Sequence, residues 1–192
     1  MSAQTDQLPV ATGFFDLPVE RAAEMLLGMR LLVNGVGGIV VETEAYGVGD
    51  AASHTFNGET PRNRAMFGPP GIAYVYRSYG LHWCFNIVCR RAEAVLIRAL
   101  EPTHSVEIMR ERRGVSDVRL LCSGPGRLCQ ALRLTGDMTG LQIDRAPFAL
   151  HVGAIVESAR GTRIGITKDV ARPWRFGIRD SRFLSKPLRD GA

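Results

Sequence analysis

Lysine is almost missing from this sequence: of 24 basic residues only Lys168 and Lys186 are lysines, and the rest are arginine. Long apolar runs are missing as well. No stretch approaches the roughly 18 residues of a membrane helix, and the N-terminal MSAQTDQLPV is polar, so neither a span nor a signal peptide is predicted. The expected location is the cytoplasm. Cysteine is sparse, and the four present make no disulfide framework in a chain of 192 residues. Cys84 and Cys89 are separated by four residues and Cys122 and Cys129 by six, spacings that suit no zinc ribbon. A His-x-Glu partner is also lacking, which excludes a zinc deaminase. Buried free thiols are expected.

What is present fits one soluble domain, with 45% hydrophobic and 22% charged residues. The net charge of +5 is unevenly spread. Residues 1–59 balance at −6 (two arginines, eight acids), residues 60–159 at +5 and residues 160–192 at +6. The asymmetry points to a polyanion met by the later two-thirds of the chain. An arginine bias is equally the mark of a GC-rich genome, so charge alone leaves a nucleic-acid partner open.

Along the chain, residues 1–12 are expected to be disordered, 13–185 to form one domain and 186–192 a flexible tail. Asp16 offers an N-cap, Pro18 an early helical position, and Val19, Ala22, Ala23, Leu26 and Leu27 an apolar stripe ending near Gly28. Gly37-Gly38 punctuates the chain before a strand over 39–46. Residues 47–72, rich in glycine and proline, read as a long loop, and long loops in compact domains are usually functional. Strands are predicted over 73–76, 84–89 and 94–100, with a turn at Tyr79-Gly80. Thr103 would cap a helix over 104–113 ended by Gly114, and Ser123 one over 125–134 ended by Gly136. Further strands follow near 147–157, 162–168 and 174–179. The predicted class is α+β, a curved and mostly antiparallel sheet with several packed helices.

Three groups of residues carry chemistry. In the strand VVETEAY, Glu42, Glu44 and Tyr46 share one face, about 6.6–6.8 Å per two residues. Two carboxylates so close are either a strand end emerging into water or a pair in which burial and mutual charge raise one pKa for general-base work. Arg98, alone in the apolar run AVLIRAL, needs a buried partner or snorkels from an edge. A carboxylate of the Glu42/Glu44 strand is the obvious partner. Tyr46, His54, Phe67, Tyr74, Tyr76, Tyr79, His82 and Trp83 are the plates on which bases stack, at roughly 1–3 kcal/mol per base, unless they are ordinary core.

Taken together these residues resemble the alkyladenine (3-methyladenine) DNA glycosylase family. The strings IVVETEAY, ASHTFNGETPRNRAMF, AYVYRSYGLHWCFNIVC, LIRALEP and SGPGRLCQAL carry the likeness, which runs from about Phe14 to Phe183. The resemblance implies a monomeric, monofunctional glycosylase that uses no metal or organic cofactor and acts on double-stranded DNA containing damaged purines. It would extrude 3-methyladenine, 7-methylguanine, hypoxanthine or ethenoadenine and hydrolyse the N-glycosidic bond, leaving an abasic site, in the nucleoid of a bacterium. Glu44 falls on the family's catalytic base, Arg98 on the arginine that contacts base and water, and Ile164 on a residue whose carbonyl helps hold the water. Tyr46, His54 and Tyr76 fall on the rings enclosing the extruded base. Asn86 falls on the asparagine that disfavours guanine's exocyclic amine, and Tyr79 on the wedge that enters the duplex. Arg62, Arg64, Arg77, Arg163 and Arg175 are candidates for backbone contact.

The sequence departs from the family in three places. From Tyr46 to His54 it is one residue shorter than the mammalian form, Arg77 and Ser78 replace residues that tend to be apolar, and Gly68-Pro69-Pro70 differs from the usual loop. Two rivals remain at this stage. A non-catalytic nucleic-acid-binding module would leave Glu44 and Arg98 without a role. A two-carboxylate glycoside hydrolase would need Glu42 as its second carboxyl.

Overall fold

The computed structural model describes residues 10–188. Its apolar runs become eight strands of a single sheet: β1 (Arg30–Val33), β2 (Val36–Tyr46), β3 (Ala73–Ser78), β4 (His82–Val88), β5 (Ala94–His104), β6 (Phe148–His151), β7 (Ser158–Gly161) and β8 (Arg175–Ile178). The helices are α1 (Val19–Met25), α2 (Val106–Arg113) and α3 (Pro125–Leu132), so the class is α+β as predicted. Strand order is β3-β4-β5-β2-β1-β6, with β8 lying against the second half of β2 and pairing β7 beyond it. Every pairing between these strands is antiparallel.

β2 is the central strand and is buried almost throughout instead of alternating, the pattern of a strand covered on both faces. On one face, Thr43 Oγ1 donates to the carbonyl of Ala23 in α1 at 2.8 Å, above a core of Leu26, Leu31, Phe85, Ile97 and Leu100. On the other, Val41 packs with Ala99 and Phe183 of the C-terminal segment. The β2–β5 register slips three times, once between Gly37 and Gly38 and twice between these layers. Val41 is the extra residue between Val40↔Leu100 and Glu42↔Ala99, and Arg98 is the extra residue between Glu42↔Ala99 and Thr43↔Ile97. Such bulges bend a strand and re-aim its side chains. Here they set one arginine against two carboxylates.

Several boundaries differ from the sequence reading, each for a local reason. Gly37 and Gly38 do not interrupt the chain but lie inside β2. A Cβ on Gly37 would sit 2.0 Å from the Leu31 carbonyl oxygen and one on Gly38 1.9 Å from that of Glu101, so the flanking strands need glycine here. β1, which pairs with this glycine segment, was not foreseen. Asp16 ends a 3-10 turn instead of capping α1. Thr103 is part of β5, and Ser105, left-handed at φ 54°, begins α2. Gly124, not Ser123, occupies the N-cap of α3, and Arg133 ends that helix at φ 59°, short of Gly136. Gly114 ends α2 as predicted, at φ 65°. Residues 162–168 form no strand.

Of the N-terminal stretch expected to be disordered, residues 1–9 lie outside the described residues, whereas Val10 N donates to the Leu150 carbonyl at 3.2 Å. Residues 189–192 of the expected tail also lie outside them. The four cysteines are buried free thiols. Among the described residues no helix is long and apolar enough to cross a membrane.

Candidate active site

Glu44 and Glu42 are both fully buried, although they sit two residues apart on one strand. Glu44 accepts from three directions: Tyr46 OH at 2.8 Å on Oε2, the Ile164 N–H at 2.8 Å on Oε1, and an ionic contact from Arg98 Nη1 at 3.3 Å on Oε1. Burial pushes its pKa up; Arg98 and the two hydrogen bonds pull it back, the neighbouring Glu42 adds to the rise, and the net direction is upward. For Arg98 burial opposes the charge, but the carboxylates of Glu44 and Glu42 outweigh it and hold the guanidinium above its ordinary value.

Glu42 has a different set of partners. Its Oε1 accepts from Arg98 Nε at 3.1 Å, Arg175 Nε at 2.7 Å and Ser185 Oγ at 2.8 Å, and its Oε2 from the Ser185 N–H at 2.5 Å. Arg175 continues to the carbonyls of Lys186 and Pro187, so Glu42 fastens the C-terminal segment against the sheet.

In front of Glu44 lies a cavity of about 990 Å³, with Tyr46, His54, Tyr74, Tyr76, Asn86, Leu96, Arg98 and Ile164 among its lining residues. Arg98 and Ile164 both line the cavity and touch Glu44. The aromatic wall is assembled from β3 and the long loop. Tyr74 and Tyr76 stack with centroids 5.4 Å apart, and His54 meets Tyr76 edge-on at 4.4 Å. His54 Nδ1 hydrogen-bonds Tyr74 OH at 2.9 Å. Burial and nearby Arg62 lower the His54 pKa, and burial raises Tyr74 to about 12 and Tyr76 higher still, so the wall is uncharged at neutral pH. The Asn86 amide is fixed by donating to the Tyr74 carbonyl across the strand pair at 3.0 Å.

The loop that carries His54 is held by its own polar residues. Asn63 Nδ2 donates to the carbonyls of His54 (2.8 Å) and Gly58 (3.0 Å), while its Oδ1 accepts from the Thr60 N–H at 2.6 Å. Asp50, fully buried, receives both terminal nitrogens of Arg163, one of them at 2.9 Å, and the Ala52 N–H at 3.0 Å. Arg163 in turn lies 4.7 Å from the Tyr46 ring centroid and donates to the Ala45 carbonyl.

Tyr79 is 86% exposed at the tip of the β3–β4 hairpin, where both it (φ 49°) and Gly80 (φ 71°) are left-handed. A left-handed tyrosine in a tight turn is strained, and this one is held out into solvent at the cavity's edge. Arg62 lines the cavity and donates to the Arg77 carbonyl at 2.9 Å. Arg77 is exposed and covers the Trp83 ring at 5.5 Å, and Arg64 is exposed beside Glu59 at 3.4 Å. Arg163 and Arg175, the other two arginines considered for backbone contact, are buried against Asp50 and Glu42 and present no guanidinium at the surface. Lys168 lines the cavity on the opposite loop, is exposed, and has no ion pair or hydrogen bond among the described residues.

Sequence reasoning named Glu44, Arg98, Tyr46, His54, Tyr76, Asn86 and Ile164, with Tyr74 among the aromatic plates, and these come together here; it missed Asp50, Asn63, Lys168 and Ser185. The scarcity of lysine was the only available signal for Lys168. For Asp50 and Arg163, 113 residues apart, there was none. Among the described residues no cluster of three His, Cys, Asp or Glu side chains could hold a metal ion.

A buried carboxylate of raised pKa behind a cavity is an arrangement from which a hydrolase can draw a general base. Comparison with known proteins gives the family: a model described as methylpurine-DNA glycosylase matches residues 13–182, and the chain belongs to that family. It is accordingly a hydrolase of N-glycosyl bonds with DNA as substrate. A protein of Rhodopseudomonas palustris named "Putative 3-methyladenine DNA glycosylase" is 58% identical over 179 residues, covering 91% of this chain and 87% of its own. One of the same name from Bradyrhizobium diazoefficiens is 55% identical over 94% of this chain and 92% of its own. One from Nitrosospira multiformis is 57% identical over 87% and 89%.

Proposed function

We propose that this enzyme is a monofunctional 3-methyladenine-type DNA glycosylase. It extrudes a damaged purine into the aromatic cavity and hydrolyses its N-glycosidic bond with a water that Glu44 deprotonates. The observation that carries this reading is the Glu44 carboxylate, buried with raised basicity and held by Tyr46, Ile164 and Arg98 directly behind that cavity.

The remaining features have a use under this reading. Tyr79 fills the gap left in the duplex, and Tyr46, Tyr74, Tyr76 and His54 restore stacking to the extruded base. The uncharged, electron-rich wall suits N-alkylated purines, which are electron-poor and often cationic. Such bases are already good leaving groups, so positioned water, shape and one carboxylate suffice. Deaminated and etheno purines of the same shape, hypoxanthine and ethenoadenine, complete the substrate class with 7-methylguanine. Ile164 serves through its N–H, which orients Glu44, and the family pattern assigns its carbonyl to the attacking water. Arg62, Arg77 and Lys168 face the phosphates. The enzyme is proposed to act as a monomer.

The test is a duplex carrying a single hypoxanthine, with 3-methyladenine, 7-methylguanine and ethenoadenine duplexes beside it, followed by alkaline cleavage of any abasic site. Excision of at least one is expected. A chain that leaves all four intact is not this enzyme. Glu44→Gln should bind the lesion duplex and lose excision by at least about 100-fold, the lower range for a general base; normal excision would remove Glu44 from that role.

A further inference from the structure

We propose that Glu42 is a positioning residue for the base: with Ser185 it holds Arg98 back from Glu44, leaving Glu44 free to take a proton. This rests on the reading of Glu44 as the base. Arg98 has two buried carboxylates within reach and treats them unequally. Its hydrogen bonds go to Glu42 (Nε, 3.1 Å) and Ser185 Oγ (Nη2, 3.3 Å), whereas toward Glu44 it makes only the 3.3 Å ionic contact. A guanidinium free of Glu42 would turn its fork onto Glu44 and form a bidentate pair, the strongest arrangement open to it. A carboxylate locked in that way is a poor base.

Glu42 is itself unable to turn. Arg175 from β8 and both donors of Ser185 occupy its two oxygens. The C-terminal segment therefore reaches the reacting site by a chain of direct contacts: Ser185 to Glu42, Glu42 to Arg98, Arg98 to Glu44. This gives Glu42 a purpose other than that of a second hydrolytic carboxyl: its partners Arg175 and Ser185 do not line the cavity, whereas Tyr46 and Ile164, which hold Glu44, do.

The groups that set the behaviour of Glu44 come from every side. Glu42 and Tyr46 share its strand, Arg98 approaches from β5, Tyr76 and Cys84 from β3 and β4, Arg175 from β8, and Arg163 with the Ile164 N–H from the loop after β7. Removing the Glu42 charge takes away a neighbouring negative charge and releases Arg98 toward Glu44. Both changes favour the ionised carboxylate and lower its basicity.

The experiment is single-turnover excision from the hypoxanthine duplex as a function of pH, with Glu44→Gln as the control. Glu42→Gln should move the acid limb down by about 1–2 pH units, from two unit charges about 6.7 Å apart at an effective dielectric near 20. The plateau should fall about tenfold, because a weaker base transfers the proton less well. Ser185→Ala removes the hydroxyl that accepts from Arg98 and donates to Glu42, without burying an unpaired charge; Arg98 is released in part toward Glu44 and the limb should move down, by less than in Glu42→Gln. A limb unmoved in Glu42→Gln, with only the melting temperature lowered, would overturn the proposal. If that variant does not fold, an unmoved limb in Ser185→Ala overturns it instead. An active Glu44→Gln control is the separate result that condemns the base assignment itself.

Discussion

Replacing Asp50 by Asn leaves the shape of the loop and removes one charge from an ion pair whose two side chains are both buried. Asp50 and the Arg163 side chain are both fully buried, and Asp50 receives two guanidinium nitrogens and a backbone N–H. Deleting one partner of such a pair strands the other in a medium that cannot solvate it, at a cost of about 3–5 kcal/mol. Arg163 keeps the Ala45 carbonyl at 3.0 Å and the rings of Tyr46 and Trp174, so the lower end applies. At roughly 2–4 °C per kcal/mol for a chain of this size, a loss of about 3 kcal/mol lowers the melting temperature by about 6–12 °C.

Urea unfolding should show the same loss with an unchanged slope. Lesion binding should weaken too, since Asp50 anchors the loop that presents His54. The pair also carries a pH signature. Burial works against the Asp50 charge, but the Arg163 and Ala52 bonds outweigh it and depress its pKa. A depressed carboxyl contributes its stability in full above the unfolded value of about 3.9 and loses it as pH falls through the lower folded value. The variant should therefore differ most from the parent at neutral pH and converge with it in acid. A loss below about 1 kcal/mol at neutral pH would refute the reasoning, because it would mean that the pair is no better than an exposed one.

Two further outcomes follow from the cavity's rim. Tyr79→Ala should leave the melting temperature within about 2 °C, since 86% of the side chain is in solvent; competition binding should show lost preference for lesion over undamaged duplex, and retained preference would count against the wedge. Lys168→Ala should reduce the slope of log K against log salt by about 0.9, one phosphate contact, while Lys168→Arg keeps it. Fluorescence anisotropy over a salt series reads this directly, and an unchanged slope means that Lys168 meets no phosphate.

Beside the roles that the family resemblance implied for Glu44, Arg98, Asn86 and Ile164, the sequence by itself determined the fold class, the cores of the strands that carry the site, and the hairpin that lifts Tyr79. Those are local properties: apolar runs, glycine punctuation, and a period of two that puts Glu42, Glu44 and Tyr46 on one face. It left open whether those carboxylates met solvent or each other, and it treated Arg163 and Arg175 as surface charges. Only the tertiary structure decided these points, because burial belongs to a position in the assembled sheet and not to a residue type. The paired bulges at Val41 and Arg98 are the clearest case. Nothing in VVETEAY or AVLIRAL marks a slipped register, which is settled by how two long strands bend over one core. That slip sets Arg98 between Glu42 and Glu44, and two neighbouring glutamates of one strand end with different partners, Arg175 and Ser185 for one and Tyr46 and Ile164 for the other.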